Sequence, residues 1–204
     1  MGAKLKVGVL ISGSGTNLQA IIDACRMPDY PVELSVVIAN RDDAYGLERA
    51  KKAGIPTVVI GHKPYKTRED FDRKLDEVLK DHQSACVCLA GFMRLLSPWF
   101  VQTWHNRLIN IHPSLLPAFK GVNAQQQALD YGVKVTGCTL HFVRPEMDVG
   151  PIIMQVAVPV HEGDTFATLR DRILVQEHHC YVEGLRLMGQ GKLTVVDERV
   201  VMCS

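Results

Sequence analysis

No apolar run in this chain of 204 residues approaches the roughly 20 residues that a membrane-spanning helix needs. The apolar stretch near its start, Val7 to Ile11, is too short for the core of a secretory signal followed by a cleavage site. The sequence is therefore read as cytoplasmic, with no membrane partner. An excess of charge is lacking too: 23 Lys and Arg stand against 22 Asp and Glu, a formal net charge of +1, which gives no electrostatic reason to expect a nucleic-acid partner. The six cysteines, Cys25, Cys86, Cys88, Cys138, Cys180 and Cys203, have no zinc-like pairing. Cys86 and Cys88 fall inside the apolar run 85–90 and read as strand core, with a C-x-C metal site as the weaker alternative. Reduced thiols and no metal are expected. Internal repeats and low-complexity tracts are missing as well, so the chain is no solenoid or linker. What remains, 47% hydrophobic and 22% charged residues, is an ordinary globular composition, read as one domain over 1–204 with a sizeable core.

The most informative stretch is Leu108-Ile109-Asn110-Ile111-His112-Pro113-Ser114-Leu115-Leu116-Pro117. Strand alternation puts Leu108, Asn110 and His112 on one face, with Ile109 and Ile111 on the other. Pro113 and Pro117 stop the strand and stiffen its exit. An amide N–H beside a cationic imidazole suits the stabilisation of an oxyanion while a carbonyl carbon is attacked. A nucleophile triad would also need an activated Ser or Cys, and no base is evidently placed for Ser114. The purely structural alternative is that Asn110 and His112 satisfy backbone groups at a strand end.

Earlier in the chain, residues 5–11 read as a buried strand and Ser12-Gly13-Ser14-Gly15-Thr16-Asn17 as a glycine-rich turn into a helix over 18–26. Such a strand–loop–helix unit cradles an anion at the helix N-terminus, and Thr16 and Asn17 can add side-chain bonds or cap the helix. Leu18 stands where a dinucleotide fingerprint carries its third glycine, and no G-K-[ST] follows, so a single phosphate is the better inference. A tight turn needing glycines for its own geometry is the structural alternative. Strands are predicted over 32–39, 57–60, 86–89, 135–142, 152–160 and 193–196. Helices are predicted over 44–53 behind Asn40-Arg41-Asp42-Asp43, from Arg68 through Leu79, from Ser97-Pro98, over 123–131, and over 165–188. The alternation predicts an α/β fold: a doubly wound, mostly parallel sheet with a Rossmann-like N-terminal half, and antiparallel edge strands in the C-terminal half. Ligands bind such sheets at the carboxyl ends of the strands, where loops 12–17, 90–96 and 112–121 fall. In the second, Gly91 permits a sharp turn, and Arg94 either holds a flat polar or anionic ligand or lies with its head in solvent. His178 and His179 face different ways on a helix and make a poor metal pair.

Ile11 through Gln19, Leu89-Ala90-Gly91-Phe92-Met93-Arg94, Asn110 through Pro117 and Asp148-Val149-Gly150-Pro151-Ile152 together resemble the motifs of the phosphoribosylglycinamide formyltransferases, folate-dependent enzymes of purine synthesis. The resemblance covers about residues 5–190, in the family's order and approximate spacing. It implies the formyltransferase fold, with a phosphate-binding half over about 1–100 and a catalytic and folate half over about 101–204. The co-substrate would be 10-formyltetrahydrofolate and the acceptor glycinamide ribonucleotide, with no metal and a monomer or homodimer as the working form. By position, Asn110 and His112 would bind the formyl oxygen and Asp148 would partner the histidine, favouring its imidazolium. Gly15, Thr16 and Asn17 would hold the ribonucleotide phosphate and Glu177 its glycinamide end. Arg68, Met93, Arg94, Leu95, Leu96 and Asn110 would contact the folate, with the backbone of Arg144, Pro145, Glu146, Met147 and Asp148 reading the pterin edge.

Two positions depart from the family pattern. Leu174 stands where some members carry a lysine, and Gln125 where histidine is frequent, so the detail of ribonucleotide binding differs while the Asn–His–Asp set is untouched. Other readings are a formyltetrahydrofolate hydrolase, a sugar-nucleotide formyltransferase, or a non-catalytic nucleotide-binding module. Methionyl-tRNA formyltransferases share the core but add a C-terminal tRNA-binding domain for which the sequence in hand is expected to leave no room. The hydrolases usually carry an N-terminal regulatory domain, and here the first strand begins at Leu5.

Overall fold

The computed structural model describes residues 3–203. Among them, seven strands form one sheet: β1 Leu5–Ile11, β2 Val32–Ala39, β3 Thr57–Val59, β4 Cys86–Leu89, β5 Leu108–His112, β6 Val135–Phe142 and β7 Ile152–Pro159. Their spatial order is β3-β2-β1-β4-β5-β6-β7. Pairing is parallel from β3 through β5 and antiparallel from β5 through β7. This is the doubly wound, mostly parallel sheet that the alternation predicts, with its reversal of strand order between β1 and β4. The central strands lie between two layers of helix, so β1 and β4 carry near-continuous apolar runs.

The helices are α1 Thr16–Cys25, α2 Gly46–Lys52, α3 Arg68–Asp81, α4 Pro98–Thr103, α5 Ala124–Tyr131 and α6 Phe166–Gly189. One face of the sheet packs Val7, Val9, Ile109, Ile111 and Leu140 against Leu18 and Ile21 of α1, Leu47 of α2, and Ile173 and Tyr181 of α6. The other packs Leu10, Val36, Val87 and Leu108 against Phe71, Leu75 and Leu79 of α3 and Phe100 of α4. Thr67 starts α3 with a capping box, its Oγ1 accepting the Asp70 N–H while Asp70 accepts the Thr67 N–H. Ser97 caps α4 ahead of Pro98.

Apart from shifts of one or two residues at several ends, two helix starts and one added strand differ from the sequence expectation. Helix α1 begins at Thr16, two residues early, with Gly15 as its cap at φ 68° and no side-chain cap bond. Thr16 and Asn17 are therefore first-turn residues, not caps. Helix α2 begins at Gly46, and Asn40 to Asp43 do not cap it; Arg41 pairs with Asp43 instead. The terminal strand, β8 Leu193–Val196, pairs with a further strand, β9 Arg199–Met202, that alternation over four mixed residues did not reveal.

Candidate active site

Strand β1 delivers the glycine-rich loop to the point where the strand order reverses. A cavity of about 160 Å³ lies there, lined by Ser12 through Asn17 together with Ala90, Gly91 and Met93. The two loops are tied across it: Ser12 N–H donates to the Gly91 carbonyl at 3.1 Å, and Met93 N–H donates to Ser12 Oγ at 2.8 Å. A Cβ at Gly15 would stand 2.7 Å from Gly46 Cα, so glycine here permits the close approach of α1 and α2 as well as the left-handed turn. Arg49 holds the loop from behind, donating from Nε to the Ser14 carbonyl at 2.9 Å and from Nη1 to Gln19 Oε1 at 3.1 Å. Nothing in the sequence marked Arg49, an ordinary basic residue in the last turn of a short helix. The first-turn N–H groups of α1 face this cavity end, a geometry suited to an anion.

Asn17 and Glu177 come together from α1 and α6. Asn17 Nδ2 donates to Glu177 Oε2 at 2.8 Å, and both side chains are buried. Burial pushes the Glu177 carboxyl above the usual carboxylate range, against the opposing Asn17 hydrogen bond. The Asn17 amide oxygen is buried with no partner among the described residues, leaving an acceptor beside a carboxylate.

On the opposite face of the sheet, β5 ends with Asn110 and His112 side by side as the alternation predicts. His112 Nε2 lies 2.8 Å from the Phe119 carbonyl, which only accepts, so Nε2 carries a proton. Its Nδ1 lies 3.4 Å from Asp148 Oδ2, with both side chains about nine-tenths buried. Asp148 Oδ2 also accepts the Gly121 N–H at 2.7 Å, which joins the 112–121 loop to the 143–150 loop. Each ring nitrogen thus faces an oxygen acceptor, the Phe119 carbonyl on one side and the Asp148 carboxyl on the other. Asn110 is half-buried and its amide makes no hydrogen bond among the described residues, so it can serve a ligand. Ser114 is fully buried and donates to the Ala118 carbonyl, a structural role. Thr139 fixes the same exit loop by accepting the Leu116 N–H at 3.0 Å and donating to the Ser114 carbonyl at 2.7 Å.

Sequence reasoning missed His141. Antiparallel pairing sets it directly across from Asn110, so it shares the face of Asn110 and His112. It is 1% exposed, and its Nε2 has no partner among the described residues. Burial holds its imidazole below the ordinary histidine range, with the Phe142 carbonyl and Asp148 opposing and His112 adding. The signal was the parity of Thr139 and His141, unreadable until the pairing register was known.

The remaining sequence candidates ring this face. Met93 and Leu95 project apolar side chains into solvent at 78% and 56% exposure, next to the partly buried Leu96. Arg94 lies over the Phe71 ring, 5.3 Å from its centroid, with a buried Nε that has no partner among the described residues. Arg68, at the start of α3, is exposed, and its charge and that of Arg94 both reach Asp72. Buried Asp72 accepts the Ser97 N–H at 2.5 Å and so anchors the end of the 90–96 loop. Pro145, Glu146 and Met147 are exposed, whereas Arg144 is buried and its guanidinium points away into a cluster with Glu198 and Asn106. Leu174 and Gln125 carry no charge, and Gln125 is a buried polar side chain. Among the described residues no group of three or more His, Cys, Asp or Glu could hold a metal ion, and no helix is long and apolar enough to cross a membrane.

Comparison with known proteins gives the site its relatives. The family model described as "Formyl transferase" matches residues 5–185. Over 188 residues, 92% of this chain, the sequence is 53% identical to the trifunctional purine biosynthetic protein adenosine-3 of Homo sapiens. The chain spans about a fifth of that protein's length, 19%. It is 43% identical over 189 residues to the phosphoribosylglycinamide formyltransferase of Escherichia coli strain K12, covering 93% of this chain and 89% of that one. The crystal structure of glycinamide ribonucleotide transformylase 1 from Symbiobacterium toebii superposes with a TM-score of 0.97 at 51% identity, covering 100% of this chain and 96% of that one.

Proposed function

The chain belongs to the formyl transferase family, and from that premise we propose that it moves the formyl group of 10-formyltetrahydrofolate to the amine of glycinamide ribonucleotide. The products are formylglycinamide ribonucleotide and tetrahydrofolate, a one-carbon step of purine (IMP) biosynthesis. The observation that carries the reading is the β5 terminus: an Asn110 amide without a hydrogen-bond partner among the described residues, beside a buried His112 that is backed by Asp148.

Residues 1–204 act in this reading as one formyltransferase domain, in the cytoplasm, on small molecules alone. The amides of the cap residue Gly15 and of Thr16 and Asn17 in the first turn hold the ribonucleotide phosphate, and Glu177 with Asn17 orients its glycinamide end. On the folate side, the exposed apolar Met93, Leu95 and Met147 cover an aromatic ligand. Arg68 and Arg94 meet its carboxylates, and the 144–148 backbone meets its pterin edge. Formyl folate supplies an electrophilic carbonyl carbon. As the amine adds, negative charge grows on the formyl oxygen, and the Asn110 amide and the His112 ring donate hydrogen bonds to it. For Nε2 to do so it must leave the Phe119 carbonyl, so the 112–121 loop adjusts when the substrates bind. Asp148 keeps the ring oriented and accepts the amine proton directly or through water, and that proton passes on to the folate nitrogen as its bond to the formyl carbon breaks.

Absorbance at the tetrahydrofolate band, with glycinamide ribonucleotide, with methionyl-tRNA and with no acceptor, tests this. Release of tetrahydrofolate only with the ribonucleotide is expected. Release without an acceptor would make the chain a hydrolase, and no release with any of the three would remove the proposed acceptor.

A further inference from the structure

The turn between β8 and β9 consists of Asp197 and Glu198, both left-handed, at φ 48° and 56°. A two-residue hairpin of this kind favours glycine at its second position, and glutamate is a poor occupant. A residue kept where the backbone disfavours it invites the question of what its side chain does. Glu198 reaches out of the turn to Arg144: Oε2 accepts from Nε at 2.7 Å and Oε1 from Nη2 at 3.1 Å. The Arg144 guanidinium is otherwise filled by the Asn106 amide oxygen at 2.7 Å and the Val143 carbonyl at 3.1 Å. Asn106 is itself left-handed, at φ 55°, in the turn that precedes β5. One planar cation therefore clamps three segments at once: the hairpin, the entry to β5, and the first residue of the 143–150 loop.

That loop carries Asp148 at its far end, and its own conformation is narrowly set. Asp148 is left-handed at φ 51°, and a Cβ at Gly150 would collide with the Phe142 carbonyl. Arg144 is 9% exposed, whereas the Glu198 side chain is 61% exposed, so the pair lies at the edge of solvent with its cation buried. An exposed ion pair alone would hold little, but a buried guanidinium that loses two of its acceptors must find others, and the segment that carries it moves with it.

We propose that Glu198 is a positioning residue for the folate side of the site, and that the β8–β9 hairpin acts through Arg144 to hold the 143–150 loop in its binding-competent position. The inference rests on the reading of 143–150 as the folate loop. Glu198 touches no reacting atom; its effect is expected in KM for formyl folate and not in kcat.

The informative variant is Glu198→Gly, which relieves the left-handed turn while removing both acceptors from Arg144. Its thermal midpoint is expected to equal or exceed that of the wild type, while KM for 10-formyltetrahydrofolate rises roughly three- to tenfold, the scale of a charge-assisted contact with one exposed partner. KM for the ribonucleotide and kcat stay within twofold. Glu198→Gln, which keeps one acceptor, is expected to fall between the two, and Val201→Ser, on an exposed face of the same hairpin, is expected to match the wild type. Hydrogen exchange of a peptide covering 143–150, measured without substrate, is expected to speed up in Glu198→Gly. Unchanged exchange overturns the proposal, as does faster exchange with an unchanged folate KM, or a rise in both KM values that follows a lowered thermal midpoint. A wild-type protein that does not turn over formyl folate would instead sink the proposed function, and the exchange measurement would still decide whether the clamp holds the loop.

Discussion

Replacing Asp148 with asparagine isolates the charge behind His112. The substitution keeps the shape of the side chain, can keep the acceptor for the Gly121 N–H, and suits the φ of 51° at this position, because asparagine tolerates the left-handed region. What it removes is a negative charge 3.4 Å from Nδ1 of a buried imidazole. That distance is long for a hydrogen bond, so the lost interaction is chiefly coulombic. Two unit charges at this separation attract by about 5 kcal/mol at an effective dielectric constant near 20. Only the part that grows between bound substrate and transition state affects kcat. In the proposed reaction Asp148 takes up the amine proton, which asparagine cannot do, and the loss of a positioned proton acceptor lowers the rate by about 10²–10⁴. Steady-state assays with both substrates saturating should show that fall in kcat, with each KM within about threefold of the wild type. A folded Asp148→Asn protein whose kcat stays within threefold would refute the assignment of Asp148 to the chemistry.

Asn110→Ala is expected to lower kcat by about 10²–10³, the usual loss for one oxyanion donor, with an unchanged urea midpoint because the amide makes no bond among the described residues; an unchanged kcat would exclude it as a donor. Burial raises the Glu177 carboxyl, so its ionised form is lost at a higher pH than for an exposed glutamate. KM for the ribonucleotide should therefore begin to climb above the usual carboxylate range as pH falls, and Glu177→Gln should flatten that dependence. The same shift means that the charged form is penalised in the folded state, a penalty present above the raised value and relieved as pH falls through it. Glu177→Gln is accordingly expected to be no less stable than the wild type at pH 8 in urea unfolding. Gly137→Ala would press a Cβ onto the Val156 carbonyl of the paired strand and to 2.9 Å from Leu115 Cδ2. A loss of about 2–3 kcal/mol in urea unfolding is expected, and a loss below 1 kcal/mol would mean that β6 and β7 separate easily there.

The sheet was legible because its signals are local. Apolar runs such as Val7 to Ile11 and Cys86 to Leu89, punctuated by glycine and proline, identify buried strands without any knowledge of their neighbours. The pairing of Asn110 with His112 was legible for the same reason, since both lie on one strand. His141 was not, because its place beside them depends on the antiparallel register of β6 against β5, which no local pattern encodes. Arg49, Asp72 and Glu198 share that obscurity. Each anchors a loop of the candidate site from a different element, and a polar residue on a helix or turn looks the same whether it meets a distant carbonyl or water. Two helix starts were misread by two residues where no side-chain bond forms the cap, at Gly15 before α1 and at Tyr45 before α2.

The two halves of the proposed reaction lie on opposite faces of the sheet. Asn17 and Glu177 belong to the face covered by α1 and α6, whereas Asn110, His112 and His141 project from the face covered by α3 and α4. A ribonucleotide seated at the α1 N-terminus must therefore present its amine past the carboxyl end of β5, and a folate held between the 90–96 and 143–150 loops must bring its formyl carbon to the same edge from the other side. The ties across this edge follow from that requirement. Ser12 binds Met93, Gly121 binds Asp148, and Glu198 binds Arg144. Attack within about 3 Å of the formyl carbon demands that loops from separate parts of the chain stay in register to a fraction of an ångström. A hydrophobic core does not fix loops so finely, and directional bonds between side chains and backbone do. By this reasoning, loosening any one of the three ties should weaken one substrate selectively, and the substrate affected identifies the face on which that tie acts.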